Sequence, residues 1–577
     1  GMVSVSNAVN VSPDGTGQVL LYPYYSARGG NDTLISIVNT KPNGKAVKIR
    51  FREAINSRDV LDFHIYMSAF DVWTAAVTAA DDGGAVLKTS DTTCTVPYIF
   101  GDFDGEQAFR DFDYAQEAVV GNQTAANPEI PSTLDGGPTG IERTASGYIE
   151  VIEMGSLNPH PLKSTVLKKN DAGVYTGAIK DDQKENYVSY ATKHVNGVPN
   201  DCQALVNAWT ENASATDALL GGYWKDGGNP SLGMNAPSGG LYGAASIINV
   251  ADGTMFSYNA TAIENFMDAH VHGEPGLATP NLGTAGDIQF SNVFFQGLIG
   301  EDGAEGGAAD NNPNVVNSHW TTDTTEGIAW TTSATTDPNG KGYNAGLPSL
   351  LALNAALTAE SISNEFDIQP GLNAHTEWVV TMPTKKFHVD GGSGGAIGGG
   401  AYKAPQEPFD SAWSKTGASC DDVTLAYYDR EERSGQTTGL KPPVFSPRDP
   451  GTPTDTFELC REANVIRFAA DDSFPDATEI LKEPKRDAPF GYNNVAELPF
   501  TAGWAKASMA NRSVSADRIS DGPETGQTDT ETNVYTGLPV IGFAVTTYSN
   551  GNLGDGVLAN YGGTFQHRAT RSIASSS

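Results

Sequence analysis

Two histidines two residues apart and flanked by carboxylates form the sharpest chemical signal in the chain: Asp268-Ala-His270-Val-His272-Gly-Glu274-Pro-Gly276. On an extended strand side chains alternate, so Asp268, His270, His272 and Glu274 would share one face. Two imidazoles and a carboxylate projecting together can ligate zinc. A second oxygen-rich stretch, Asp102-Phe-Asp104-Gly-Glu106, has the opening spacing of a calcium loop, with Asp113 rather than Glu at the twelfth position. Ca²⁺ is therefore the cofactor to consider. Tyr223, Trp224, Trp320 and Trp330 stand in polar Gly/Thr/Asn surroundings. Such aromatics either stack on sugars or pin long loops to a core. Gly391-Gly-Ser393-Gly-Gly395 satisfies the G-x-S-x-G pattern, but the glycines after it cannot start the helix that a nucleophile elbow requires. No catalytic residue is assigned.

The His motif resembles the Asp-x-His-x-His signature of the amidohydrolases. In that family the motif ends the first strand of a (β/α)₈ barrel. Here it sits mid-chain and runs into Gly273, Pro275 and Gly276, with no regular βα alternation after it. The plainer expectation is a solvated turn carrying two histidines.

The elements that must position such residues read as strands. Val47, Ile49 and Phe51 alternate with Lys48, Arg50 and Arg52, and Leu61, Phe63, Ile65 and Met67 alternate with Asp62, His64 and Tyr66. This period of two places one face on a core and the other in water. Pro42-Asn43-Gly44 between two strand-like runs signals a hairpin. Residues 203–209 and 349–357 can be helices, and Glu377 to Val389 reads as a strand pair broken at Pro383. The expected fold is mainly β: immunoglobulin-like antiparallel sandwiches with long loops and a few short helices. Four segments are expected: an N-terminal sandwich over 1–155, an irregular β-rich region with short helices over 156–390, a Gly-rich linker at 391–400, and a C-terminal β-rich region over 401–577.

Lys and Arg total 36 against 69 Asp and Glu, a net charge of −33. That excludes a nucleic-acid partner, whose phosphates require a basic surface. The 64 Gly and 32 Pro argue against a coiled coil or helical bundle. No apolar run approaches the ~20 residues that span a bilayer, so no membrane span is expected. Gly1 before Met2 reads as an added residue, and an export leader is expected upstream of Met2 but absent from this chain.

Four cysteines, Cys94, Cys202, Cys420 and Cys460, allow three pairings. The pairs Cys94–Cys202 and Cys420–Cys460 each stay within one half of the chain, and any other pairing crosses the Gly-rich segment at 391–400. Two disulfides fit an exported protein.

Several runs together carry a further resemblance. They are Leu20-Leu-Tyr-Pro-Tyr-Tyr25, Asn31 to Thr40, Val47 to Glu53, Asp71-Val-Trp-Thr-Ala75, Gly147 to Gly155, Gly240-Leu-Tyr-Gly243, Glu377-Trp-Val-Val380 and Asn560-Tyr-Gly-Gly563. The chain resembles a family of uncharacterised exported proteobacterial proteins. The resemblance implies an exported location and a β-rich fold, and supplies no substrate, cofactor or catalytic residue. The expected function is an exported cell-surface or extracellular structural or binding protein with a glycan or cell-surface protein as partner. A carbohydrate-active enzyme or glycan-binding protein using acidic and aromatic loop residues is the first alternative. A metal-dependent hydrolase centred on His270 and His272 is the second.

Overall fold

The computed structural model describes residues 9–115, 134–157, 181–210, 220–225, 229–267, 270–276, 280–282, 348–389, 407–411, 413, 417–437, 457–470, 475–485, 494–519, 530–552 and 558–576. It also describes four short strands at 168–169, 175–176, 334–336 and 342–344. The chain is mainly β, with 49% strand and 11% helix.

Four large sheets make two sandwiches. The first sheet runs, edge to edge, Asn10–Val11, Thr261–Glu264, Val19–Ser26, Ser146–Leu157, Lys45–Glu53, Asp59–Met67 and Cys94–Val96. The second runs Thr254–Asn259, Leu241–Asn249, Asn31–Asn39, Val72–Ala79, Ala85–Lys88 and Glu106–Ala108. Their inner faces meet in one core, where Leu20, Ile49, Phe63 and Val151 of the first sheet meet Ile35, Ile37, Trp73 and Ile247 of the second. Burial of this alternating apolar set drives the pairing.

The third sheet runs Ser434–Thr437, Asp421–Asp429, Ala502–Ser508, Ser361–Asp367 and Arg568–Thr570. The fourth runs Asn494–Glu497, Ala463–Ala469, Ala374–Thr381, Ile541–Asn552 and Leu558–Gln566. Phe366, Leu425 and Ala505 pack on Trp378, Ile466 and Phe468 between them. The other face of the fourth sheet, with Val379, Val465, Phe543 and Val545, joins the core of the first sandwich. Strand Ala374–Thr381 is therefore covered on both faces, which explains its nearly continuous apolar run Trp378-Val-Val380. Tyr258 stacks on Phe543 across this seam at 4.6 Å, and Thr381 donates to the Pro23 carbonyl at 2.6 Å.

The sheets cut across the segment boundaries read from the sequence. The first sandwich takes Leu241–Asn249, Thr254–Asn259 and Thr261–Glu264 from beyond residue 155. The second takes Ser361–Asp367 and Ala374–Thr381 from before residue 391. The Gly-rich residues 391–400 lie outside the described residues.

Three local expectations are corrected. Pro42-Asn43-Gly44 does not close a hairpin, because Asn31–Asn39 and Lys45–Glu53 belong to different sheets and the turn carries the chain across the sandwich. A Cβ on Gly44 would meet the Met67 carbonyl and the Leu157 side chain at 2.9 Å, so this corner needs glycine. After Pro383 the chain forms the helix Lys385–Val389, not a strand. Finally, the polar face of the first sheet is not in water. Lys48, Arg50, Arg52 and His64 are all buried. Helices Asp181–Thr192 and Cys202–Ala208 contribute Tyr187, Val188 and Leu205 to a cluster on Ala46, Tyr66 and Met154. Phe266, Met267, Leu282, Leu353 and Phe387 cover Val19, Leu21 and Ile152. The charges survive burial in pairs: Lys48–Asp62 at 3.1 Å, Arg50–Asp59 at 2.7 Å and Arg52–Glu150 at 3.2 Å.

Both disulfides form with the expected pairing, Cys94–Cys202 and Cys420–Cys460. Such bonds persist in oxidising, non-cytoplasmic surroundings. Among the described residues no helix is long and apolar enough to cross a membrane.

Candidate functional site

Among the described residues the histidine motif brings no set of metal-type ligands together. Asp268 lies outside the described residues. His272 is buried, with Nδ1 2.7 Å from the Pro230 carbonyl and Nε2 2.8 Å from the Tyr66 hydroxyl. The carbonyl can only accept, so Nδ1 carries the proton and Nε2 accepts from Tyr66. Neither nitrogen is left for a metal. Trp209 and Trp224 enclose the ring at 5.0 and 4.6 Å between centroids, and burial pushes its pKa down to about 3. His270 is partly buried, and Glu274 pairs with Lys225 at 2.5 Å. The expectation of a solvated turn is corrected as well, since His272 is a core residue.

Trp224 is only 2% exposed, stacks on Tyr66 and donates Nε1 to the Leu232 carbonyl at 3.1 Å. Tyr223 packs against the same cluster. These two rings pin a loop to the core and offer no sugar platform. Trp320, Trp330 and Ser393 lie outside the described residues. Asp102, Asp104 and Glu106 are exposed. Asp102 ends the short helix Ile99–Asp102, Asp104 is left-handed with φ 53°, and Glu106 pairs with Lys88 at 2.9 Å. Among the described residues, three metal-type ligand atoms gather at one place only, Cys420, Glu458 and Cys460, where the sulfurs are bonded to each other.

The feature that does invite a ligand lies on the second sandwich. A groove of about 520 Å³ runs between strands Ser361–Asp367 and Ala502–Ser508 on one side and Ile541–Asn552 and Leu558–Gln566 on the other. That volume is typical of small-ligand sites. Its walls carry Tyr561, Phe565 and Trp504, which are 62%, 52% and 41% exposed. Tyr561, Gly563 and Phe565 fall on one face of their strand, opposite Tyr548, Thr546 and Ala544. A Cβ on Gly563 would lie 3.0 Å from the Phe565 ring, so glycine lets that ring lie along the strand. Trp504 is held in place by Tyr428, its cross-strand partner, which stacks on it at 4.4 Å and 15°.

Carboxylates stand beside these rings. Glu365 is directly opposite Trp504 in the ladder and is exposed, and its carboxylate acts on the Tyr548 phenol through its charge. Asp367 accepts from Gln369 Nε2 at 3.0 Å and from the Tyr548 hydroxyl at 3.3 Å, with Arg430 at 3.7 Å. Burial, and then the adjacent Asp367, pushes the Tyr548 phenol up, so it remains a proton donor. Asp429 is committed to its own turn, accepting from Arg433 N at 2.8 Å and Arg433 Nε at 2.5 Å.

None of these groove residues was singled out as a site from the sequence. One signal was present: Tyr561 and Phe565 flank Gly562-Gly563, a spacing that puts two large rings on one face with nothing bulky between them. Compared with protein-family models, characterised proteins and solved structures, the chain matches none.

Proposed function

We propose that this chain is an exported binding protein that uses the groove of its second sandwich to hold a neutral glycan, with the first, immunoglobulin-like sandwich as a rigid support. The observation that carries the reading is that exposed Tyr561, Phe565 and Trp504 line one groove together with Glu365 and Asp367. Aromatic faces cover the C–H faces of a sugar ring, and carboxylates and Tyr548 exchange hydrogen bonds with its hydroxyls. Three carboxylates against one arginine, on a chain of net charge −33, disfavour anionic polymers. Two disulfides support export. A glycan array probed with the folded chain tests the reading. Binding to neutral oligosaccharides that is lost in Trp504→Ala is expected. Binding confined to acidic glycans, or to none, overturns it.

A second reading is glycoside hydrolysis. Glu365 and Asp367 lie on one face of a strand with their backbones about 7 Å apart, so two carboxylates face the groove as glycoside hydrolysis requires. Release of reducing sugar from the bound glycan, abolished by Glu365→Gln, would favour it over simple binding.

A further inference from the structure

The Cys420–Cys460 disulfide stands at the end of a two-strand ladder. Asp421 pairs with Leu459, Asp422 with Glu458 and Val423 with Phe457. Continuing that register sets Cys420 directly opposite Cys460. Side chains alternate along a strand, so Cys420 and Asp422 share the outer face with Glu458 and Cys460. Both cysteines are partly exposed, and Glu458 is exposed. The two sulfurs and a Glu458 carboxylate oxygen all lie within 4.8 Å of one another. Asp422 and Glu458 are like charges in direct cross-strand register, an arrangement that costs stability unless a cation offsets it. Lys385 acts on Glu458 through its charge alone, because it lies on the buried face, bound to Asp421 at 2.9 Å and to the carbonyls of Ser419 and Leu459.

We propose that opening this disulfide creates a zinc-type metal site, with the Cys420 and Cys460 thiolates and the Glu458 carboxylate as ligands. A dithiol reductant supplies the first step. Two electrons and two protons pass to the sulfurs, the S–S bond breaks, and the dithiol leaves as its own disulfide. A divalent ion then displaces both thiol protons to solvent and bonds the thiolates. Zinc–sulfur bonds near 2.3 Å in a tetrahedral site set the sulfurs about 3.8 Å apart, and rotation of the two side chains supplies that separation. Three protein ligands leave a fourth position for water, and Asp422 adds negative charge beside the ion. Two thiolates with a carboxylate suit Zn²⁺ better than Ca²⁺ or Mg²⁺. The other disulfide is a built-in control, since among the described residues no third ligand stands beside Cys94 and Cys202.

The test is a cobalt(II) titration of the full chain, first reduced with a phosphine and then freed of it under nitrogen. The expected result is one Co²⁺ per chain with thiolate-to-cobalt charge-transfer absorption, displaced by Zn²⁺. That absorption disappears in Cys420→Ser and persists in Cys94→Ser. Glu458→Gln, which keeps both thiols, weakens Co²⁺ binding about tenfold or more. Absence of the absorption overturns the proposal, as does its persistence in Cys420→Ser or wild-type affinity in Glu458→Gln. Loss of the β circular-dichroism signature on reduction also overturns it, because the site requires the ladder.

Discussion

Tyr24 of the first sandwich donates a 2.5 Å hydrogen bond to the carboxylate of Glu483 from the second half of the chain. Arg28 and Arg461 reach the same carboxylate at 3.6 and 3.3 Å. Burial pushes Glu483 up, but the two arginines outweigh it and hold its pKa at about 2. Glu483→Gln leaves the buried Arg461 and the partly buried Arg28 short of their counter-charge, a loss that typically costs about 3–5 kcal/mol. Because Glu483 bridges the sandwiches, the variant should lower the stability of both together. Chemical denaturation followed by tryptophan fluorescence checks this: one transition at a lower midpoint is expected, and an unchanged midpoint contradicts it.

A second buried network fixes the turn at 54–58. Glu53 accepts Arg143 Nη2 at 2.9 Å and lies 2.8 Å from Arg143 Nε as an ion pair, and Asp135 accepts Arg143 Nη1 at 2.9 Å and Nη2 at 2.6 Å. Burial pushes both carboxyls up, and Arg143 more than reverses it, so both lie below the usual carboxylate range. Their stabilisation is complete above the unfolded pKa near 4 and fades as pH falls below it. Arg143→Met removes the arginine partner of Glu53 and leaves Asp135 with Arg58 at 3.4 Å and Asn56 at 3.1 Å, and should cost about 3–5 kcal/mol at pH 7. A loss under about 1 kcal/mol by guanidinium denaturation contradicts the role given to Arg143.

His272 makes stability depend on pH in a different window. Its folded pKa of about 3 lies below the unfolded value near 6.5, so between these values the unfolded chain binds the extra proton. Stability is therefore full above pH 6.5 and falls as pH drops toward 3. Glutamine can donate to the Pro230 carbonyl and accept from Tyr66 without titrating. His272→Gln should flatten the dependence by about one proton between pH 6.5 and 4.5. Parallel slopes for the two proteins, from denaturation midpoints measured across that range, contradict the assignment.

Strand positions and disulfide pairing were legible because each rests on a local or simple constraint: alternation at 47–53, and four cysteines divided between two halves. What covers a strand face was not. Lys48, Arg50 and Arg52 look like a solvent face, since alternation reports a period of two but not the helices and loops that later close over it. The same gap misplaced Trp224 and His272. Both sit in polar sequence, yet they fold over Tyr66 on the outer face of the first sheet. The groove escaped notice for a related reason. Glu365, Trp504 and Tyr561 come from strands far apart in sequence, and only the third and fourth sheets bring them together. Asp268, Trp320 and Trp330 fall outside the described residues.

Isothermal titration shows whether the groove binds a neutral glycan through its exposed rings. The titrant is the neutral oligosaccharide selected on the array, added to wild type, Tyr561→Ala and Trp504→Ala. Both rings are exposed and lie outside the buried cores, so their removal should leave folding intact. Each truncation should cost about 1–3 kcal/mol of binding, roughly 5- to 150-fold in Kd. Tyr223→Ala, outside the groove, should leave Kd unchanged. Equal affinity for wild type and both groove variants would mean that the rings do not hold the glycan.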